Sequence, residues 1–270
     1  MAEDRRHGPF TGAVILFGLT GALTHQTVPA RAEEITAAAK EDKIGEYYSL
    51  SGLGGSGTGL FAYQGIIALP MGSYGESGPV FRAWGKTFAF EYKTDLIDPE
   101  VVLPPVKGVD ISAQAYGIEL EAGYQFARED WRLALFIGGS YRYYNLSPDD
   151  PRSKLAGHHY DIKVAVDGQF ELPGQWGVGF NGSYVTGVEE YWVQMRPHYR
   201  TQSYTEFGVD TAAFGGDDYN YARAGLYMAG LDLTQWGAEA TYLSGEGGGQ
   251  IDLDLNTLSA YGAIHVGVKF

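Results

Sequence analysis

From about residue 46 onward, apolar and polar side chains alternate in segments of 10 to 17 residues separated by clusters of Gly, Pro, Asp and Asn. A period of two puts alternate side chains on opposite faces of a β-strand. In "HHYDIKVAVDGQFEL", Tyr160, Ile162, Val164, Val166, Gly168, Phe170 and Leu172 share one face, and His159, Asp161, Lys163, Asp167, Gln169 and Glu171 the other. "WRLALFIGGSYRYY" sets Trp131, Leu133, Leu135, Ile137, Tyr141 and Tyr143 against Arg132, Ser140 and Arg142; "QAYGIELEAGYQF" sets Tyr116, Ile118, Leu120, Ala122, Tyr124 and Phe126 against Glu119, Glu121 and Gln125. Aromatic residues end these apolar faces and aliphatic residues fill them, as in a sheet whose outer face crosses a bilayer. A water-soluble sandwich also alternates, but nothing in it concentrates Tyr and Trp at strand ends.

A sheet in hydrocarbon must close, because an open edge leaves backbone groups unpaired. The pattern therefore predicts an all-β fold, a transmembrane antiparallel up-and-down β-barrel. Strands fall near 46 to 54, 57 to 69, 78 to 94, 112 to 128, 131 to 146, 158 to 172, 175 to 188, 190 to 200, 204 to 214, 218 to 230, 234 to 245 and 257 to 270. Twelve satisfies the even count and the shared side of both termini; ten, reached by merging weak segments, is the alternative. "DLIDPEVVLPPVKGVD", "SPDDPRSKLAG" and "GEGGGQIDLDLN" then form long outer loops, and Arg128 to Asp130 and Leu172 to Gly174 form tight periplasmic turns. On the last strand, "LSAYGAIHVGVKF", Leu258, Ala260, Ile264, Val266, Val268 and Phe270 point outward. Ile264, Val266, Val268 and the terminal Phe270 resemble the signature that bacterial barrel-assembly machinery reads.

The beginning of the chain has a different character. Arg5 and Arg6 precede the apolar "TGAVILFGLTGALT", and Ala30, Arg31 and Ala32 form an A-x-A site. These are the three parts of a secretory signal peptide, and the apolar run is too short for a membrane anchor. The expected organisation is a signal peptide over 1–32, a polar periplasmic lead over 33–45 and a barrel over 46–270. Removing 1–32 takes away three Arg and two acids and leaves the rest one unit more negative. The expected location is the outer membrane of a Gram-negative cell, among outer-membrane lipid and lipopolysaccharide.

Composition narrows the chemistry. Gly (39) and Tyr (20) are abundant, and 44% hydrophobic residues coexist with a slightly negative mean hydropathy, so apolar positions are finely interleaved with polar ones. Without Cys there is no disulfide, thiolate metal site or thiol nucleophile. A net charge of −14 argues against a nucleic-acid partner, which needs a basic surface. "GLGGSG" matches G-x-G-x-x-G from Gly52 to Gly57, but an alternating segment follows where a nucleotide site needs a helix, so it reads as a hairpin tip. Asp252, Asp254 and Asn256 have the opening spacing of a calcium loop without its Gly and closing Glu. His158, His159, His198 and His265, with Asp161 or Asp210, are the candidates for hydrolase chemistry, yet no nucleophile elbow or metal spacing accompanies them. The expectation is a non-enzyme with no cofactor and no metal.

The inward faces carry the most chemistry. Arg82, Lys86, Glu119, Glu121, Arg142, Asp161, Lys163, Arg196, Glu206, Asp210, Arg223 and Glu239 bring both signs to the lumen in similar number, joined by Asp167, Glu171, Arg200 and Lys269. Trp84, Phe88, Phe90, Tyr221 and Tyr227 are the inward aromatics. Such a lining is either a salt-bridged plug or a polar channel with aromatic faces for carbohydrate, and twelve strands leave both open.

Finally, "FAYQGIIALPMGSYGESGPVFRAWGKTFAFEYKT" and "FGGDDYNYARAGLYMAG", with Arg82 to Gly85 and Gly215, Asp218, Tyr219, Arg223 and Gly225, resemble the BcsS family of outer-membrane proteins associated with bacterial cellulose biosynthesis. The resemblance runs from about 46 to 270. It implies a barrel in cellulose or related exopolysaccharide secretion, as a channel or as an accessory component, with secretion components of a cellulose synthase and glucan chains as partners. A plugged structural or adhesion barrel and a small-solute porin are the alternatives, with an outer-membrane lipid or glycan hydrolase behind them. The family carries no assigned catalytic residues.

Overall fold

Twelve antiparallel strands follow one another in chain order and close on themselves, the first pairing with both the second and the last. The computed structural model describes residues 45–57, 59–96, 106–150, 153–216, 219–238 and 240–270. The expected signal peptide, residues 33–44 of the expected lead, Asp218 and Glu239 lie outside them. The strands are β1 (Glu46–Ser56), β2 (Gly59–Leu69), β3 (Gly78–Leu96), β4 (Val106–Ala127), β5 (Trp131–Ser147), β6 (Gly157–Leu172), β7 (Trp176–Val185), β8 (Glu190–Arg200), β9 (Glu206–Gly215), β10 (Asn220–Asp232), β11 (Thr241–Asp252) and β12 (Thr257–Lys269). We call the end holding both chain ends of the barrel the terminal end, and the opposite one the distal end.

The surface is the inverse of a soluble protein's. Outward residues such as Ile137, Ile162, Val193, Leu226 and Ile264 are exposed, while Glu119, Lys163 and Asp210 are 0% exposed inside. Tyr124, Phe126, Phe170, Trp176, Tyr199 and Phe207 gather on the outer surface near the terminal end, and Tyr116, Tyr160 and Tyr184 near the distal one. Aliphatic side chains fill the belt between, so the barrel matches a bilayer in its two interfaces as well as its middle.

Four expectations are corrected. The eleventh strand was placed over 234 to 245; Thr234–Trp236 is instead a 3-10 turn closed by Gly237 at φ 86°, and β11 begins at Thr241. The glycines of "GEGGGQ" read as loop because their strand propensity is low, yet they pair on both sides, and a Cβ on Gly248 would lie 2.2 Å from the Ala224 carbonyl oxygen. Pairing with two neighbours outweighs propensity. The loop there shrinks to Leu253–Asn256, where Asp252 accepts from the Asp254 and Leu255 amides at 2.9 Å and so caps the turn. "GLGGSG" is likewise strand through Ser56. A Cβ on Gly52 would stand 2.3 Å from the Tyr63 ring and 2.6 Å from His265, so glycine is what lets those two side chains meet over β1. Lastly, pairing of β3 with β4 continues to Leu96 and Val106, consuming part of the expected 95–110 loop.

That extension makes the wall uneven. β3 to β6 have 19, 22, 17 and 16 residues, against 10 to 13 in β7 to β12. Gly59 pairs with Phe90 and Val185 with Lys163, so β3 and β6 each run six residues past their shorter neighbours at the distal end. At about 3.3 Å per residue, the tall side stands roughly 20 Å further along the strand direction.

Phe270 belongs to the closing ladder: its amide donates to the Tyr47 carbonyl at 3.0 Å and its carbonyl accepts from the Tyr47 amide at 3.3 Å, while its ring stays exposed. Deleting Phe270, or substituting Phe270→Asp, is therefore expected to lower the folded fraction sharply. Heat-modifiable gel mobility of the membrane fraction measures this, and an undiminished compact band would show that the residue is dispensable for closure.

Candidate functional site

Alternation sends every second residue of each strand inward, and there a buried charge must find a partner. Two networks do this on opposite walls. On β3 to β6, Glu119 accepts from Lys86 at 2.7 Å, Lys163 at 2.5 Å and Arg142 at 3.1 Å. Glu121 pairs with Arg82 at 2.7 Å and with Lys163 at 3.3 Å, and Arg82 reaches Asp167 at 2.5 Å. Arg142 also pairs with Glu190 of β8, tying the two walls together. Counting Glu190, four cations face four carboxylates.

On β8 to β11, Arg196 meets Asp210 at 2.8 Å and also pairs with Glu246, while Arg223 meets Asp210 at 3.2 Å and Glu246 at 2.8 Å. Two cations again face two carboxylates. Gln194 and Tyr261 donate to Asp210 at 2.5 and 3.0 Å, and Asn181 links Gln194 to the Trp192 indole. Because Glu119, Lys163 and Asp210 are fully buried, the packing leaves no water-sized gap against them. Charge balance and mutual ion pairing are what permit such a layer.

The terminal end is covered from inside. The β2–β3 turn folds over it: Gln125 donates to the Tyr74 and Glu76 carbonyls at 2.7 and 2.8 Å, the Arg132 guanidinium lies 3.9 Å from the Tyr74 ring centre, and the Tyr74 amide donates to Glu46 at 3.0 Å. Burial, first of all, raises the Tyr74 phenol above its ordinary range. Nearby, Arg200 pairs with Glu171 at 2.7 Å and Glu206 at 2.8 Å, and Lys269 with Glu46 at 2.6 Å.

At the distal end the lumen widens into a cavity of about 150 Å³. Its floor is the top of both networks, formed by Lys86, Arg142 and Arg223. Its walls are aromatic. Trp192, Phe214 and Tyr221 run along β8, β9 and β10 with centroid spacings of 5.1 and 5.4 Å, and Tyr219 carries the series across the mouth to Phe90 at 5.3 Å. Phe90 lies 6.2 Å from Phe88, which meets Tyr144 at 5.6 Å. Leu155 and Val188, from the loops after β5 and β7, are buried against this arc. Tyr219 sits outside the strands; burial, and then the Glu190 carboxylate, hold its phenol well above the ordinary range, so it stays a neutral donor.

The candidate residues divide accordingly. Arg82, Lys86, Glu119, Glu121, Arg142, Lys163, Arg196, Asp210 and Arg223 enter the two networks, and Glu206 the smaller one at the terminal end. Asp161 is half-buried at the distal rim, close enough to Gly187 that a Cβ there would lie 1.8 Å from its carboxylate, and it is not part of either network's ion pairs. Of the inward aromatics, Phe88, Phe90 and Tyr221 line the cavity, whereas Trp84 packs against Tyr63 in an apolar cluster and Tyr227 lies under Arg196. Trp192, Phe214 and Tyr219 were missed: single rings at three strand or loop ends carry no motif until closure brings them together.

The histidines occupy four separate environments. His158 faces outward, with Nδ1 2.9 Å from the Tyr141 hydroxyl; His159 contacts the Leu155 carbonyl at 2.8 Å. His198 lies 3.5 Å from Glu206, and His265 Nδ1 lies 2.8 Å from the Tyr63 hydroxyl. Among the described residues no group of three or more His, Asp or Glu could hold a metal ion.

The profile of the family described as cellulose biosynthesis protein BcsS matches residues 50–270, the whole barrel but for its first four residues. The chain belongs to this family. Its closed twelve-strand barrel is thus the fold of a BcsS-family cellulose biosynthesis protein. No curated protein matches the sequence. Solved structures that it is similar to include the transport unit of the autotransporter AIDA-I from Escherichia coli, at 8% identity over 87% of this chain and 94% of that one with a TM-score of 0.46. The KdgM porin in complex with disordered oligogalacturonate gives 7%, 83%, 99% and 0.41, and the Ralstonia pickettii toluene transporter TbuX gives 9%, 84%, 89% and 0.36.

Removing one member of a buried, fully paired set leaves charges without compensation, at about 3–5 kcal/mol. Glu119→Ala removes the carboxylate that Lys86, Arg142 and Lys163 share, leaves Arg142 to Glu190 and Lys163 to Glu121, and is expected to lose that much through Lys86 first. The midpoint of thermal loss of the heat-modifiable form in detergent reads it, with the exposed Glu129→Ala as the control that stays unchanged.

Proposed function

We propose that this protein is an outer-membrane component of cellulose or related exopolysaccharide secretion, acting as a non-enzymatic accessory barrel whose lumen is closed at rest. Family membership across residues 50–270 carries this reading. The distal end, with the tall wall and the aromatic cavity, faces outward, and the terminal end faces the periplasm, since the two longest connections, over 97–105 and 148–156, both lie at the distal end. The charge-balanced, ion-paired networks support closure, because an open aqueous pore would leave its lining charges hydrated, whereas Glu119, Lys163 and Asp210 are 0% exposed. Lipopolysaccharide and phospholipid contact the belt, the barrel-assembly machinery reads the strand ending Ile264, Val266, Val268 and Phe270, and secretion components of a cellulose synthase, with the glucan chain they deliver, meet the barrel at its ends.

Two measurements test the proposal. A deletion strain is expected to make less cellulose, or cellulose assembled abnormally, and a strain with normal amounts of normally assembled polymer would defeat the cellular role. The purified barrel in a planar bilayer is expected to show no sustained current. Steady conductance would make it a porin, and turnover of lipid or glycan substrates by the purified protein would make it an enzyme.

A further inference from the structure

We infer that the distal cavity is a binding subsite for a single neutral pyranose unit of a glucan, stacked on Trp192, Phe214 and Tyr221 and hydrogen-bonded by Glu190 and Gln250. Only the choice of glucose as the sugar rests on the function proposed above; the class of ligand follows from the cavity itself. Its size comes first. A water needs about 10–15 Å³ of such volume, so 150 Å³ holds on the order of ten to fifteen water-sized atoms, the scale of one hexose and not of a free polymer coil.

The lining decides the chemistry. Ligand sites combine apolar and aromatic walls with a few placed polar groups, and here Trp192, Phe214 and Tyr221 form a graded series of rings, the last two nearly parallel at 28°. A pyranose presents C–H groups on its flat face and hydroxyls around its edge, so it matches such a wall and the polar groups beneath it. Glu190 keeps 22% of its side chain exposed although its Oε2 is shared by Arg142 and Tyr144, so part of it stays open to the cavity and a hydroxyl donor. Gln250 holds its amide 3.3 Å from the Ser56 hydroxyl at the rim.

The floor argues against an anion. Lys86, Arg142 and Arg223 would attract one if they were free, but Glu119 and Glu190 hold the first two, and Asp210 and Glu246 the third. An acidic sugar would bring a charge that meets no uncompensated partner and would sit beside Glu190. An acyl chain would cover the exposed part of Glu190 and offer it no hydrogen-bond donor. A neutral, hydroxyl-rich ring satisfies both surfaces.

Isothermal titration of the purified barrel in detergent with cellotetraose tests this, with an oligogalacturonate of equal length and a short-chain alkyl phosphate as competitors. Saturable binding of cellotetraose is expected, weakened at least about tenfold in Phe214→Ala and Tyr221→Ala and abolished in Ser56→Phe, which fills the cavity from its rim. Heat-modifiable mobility shows whether each variant is folded, and Gln250→Ala, which removes a polar contact and no ring, supplies a milder second reading with a several-fold loss. Absence of cellotetraose binding at millimolar concentration, equal or tighter binding of the oligogalacturonate or the alkyl phosphate, or unchanged binding in folded Ser56→Phe would overturn the subsite. Binding that survives alongside normal cellulose in the deletion strain would leave the subsite standing and remove the cellular role; the opposite pair of results would do the reverse.

Discussion

Every amide of a chain in hydrocarbon has to be satisfied by the chain itself, and in this protein the pairing of β1 with β12 completes that requirement. Closure fixes everything downstream. It forces strand alternation to separate an outer surface that lipid contacts from an interior that lipid cannot reach, and it brings residues from opposite ends of the sequence, such as Tyr63 and His265, into contact. Once the ring is shut, the inward charges have no solvent to fall back on. Their arrangement into balanced, mutually bonded sets follows from the geometry of the backbone.

The interior differs from both a soluble core and an open pore. Apolar clusters are present, with Tyr48, Leu50, Trp84 and Phe136 packed near the terminal half, but they share the space with guanidinium groups, and Arg82 stacks on Phe136 at 3.7 Å. Cation–π contact of this kind lets a charged group serve as packing material. The same arrangement recurs where Arg223 lies 4.6 Å from Tyr261 and 4.9 Å from Trp192, so the floor of the cavity is built from the edges of the charged layer. Support and vestibule are therefore one structure, and a change in either is felt by the other.

Much of the fold was legible because alternation is a local signal that closure does not alter. The strands around Ile137, Ile162 and Ile264 read correctly from their own residues. The exceptions are instructive: β11 was displaced because Gly245, Gly247, Gly248 and Gly249 look like loop, and what makes them strand is crowding by β10 and β12, a fact about neighbours. The structure buries Arg82, Glu119, Lys163 and Asp210 inside the barrel, but their pairing was not legible, since Arg82 with Asp167 and Arg142 with Glu190 depend on side chains crossing the lumen. The aromatic arc was the least readable part. It is assembled from Phe90, Trp192, Phe214 and Tyr219: Trp192 stands 22 residues before Phe214 and Phe90 stands 129 before Tyr219, so no local pattern joins them.

The unequal strand lengths give the molecule a slanted rim. β3 to β6 stand above the cavity as a screen on one side, while β7 to β12 end near its level on the other. The approach to the cavity is thereby unequal, walled along β3 to β6 and low along β7 to β12. The cavity is therefore open toward the low wall and sheltered by the tall one, an asymmetry set by strand length alone.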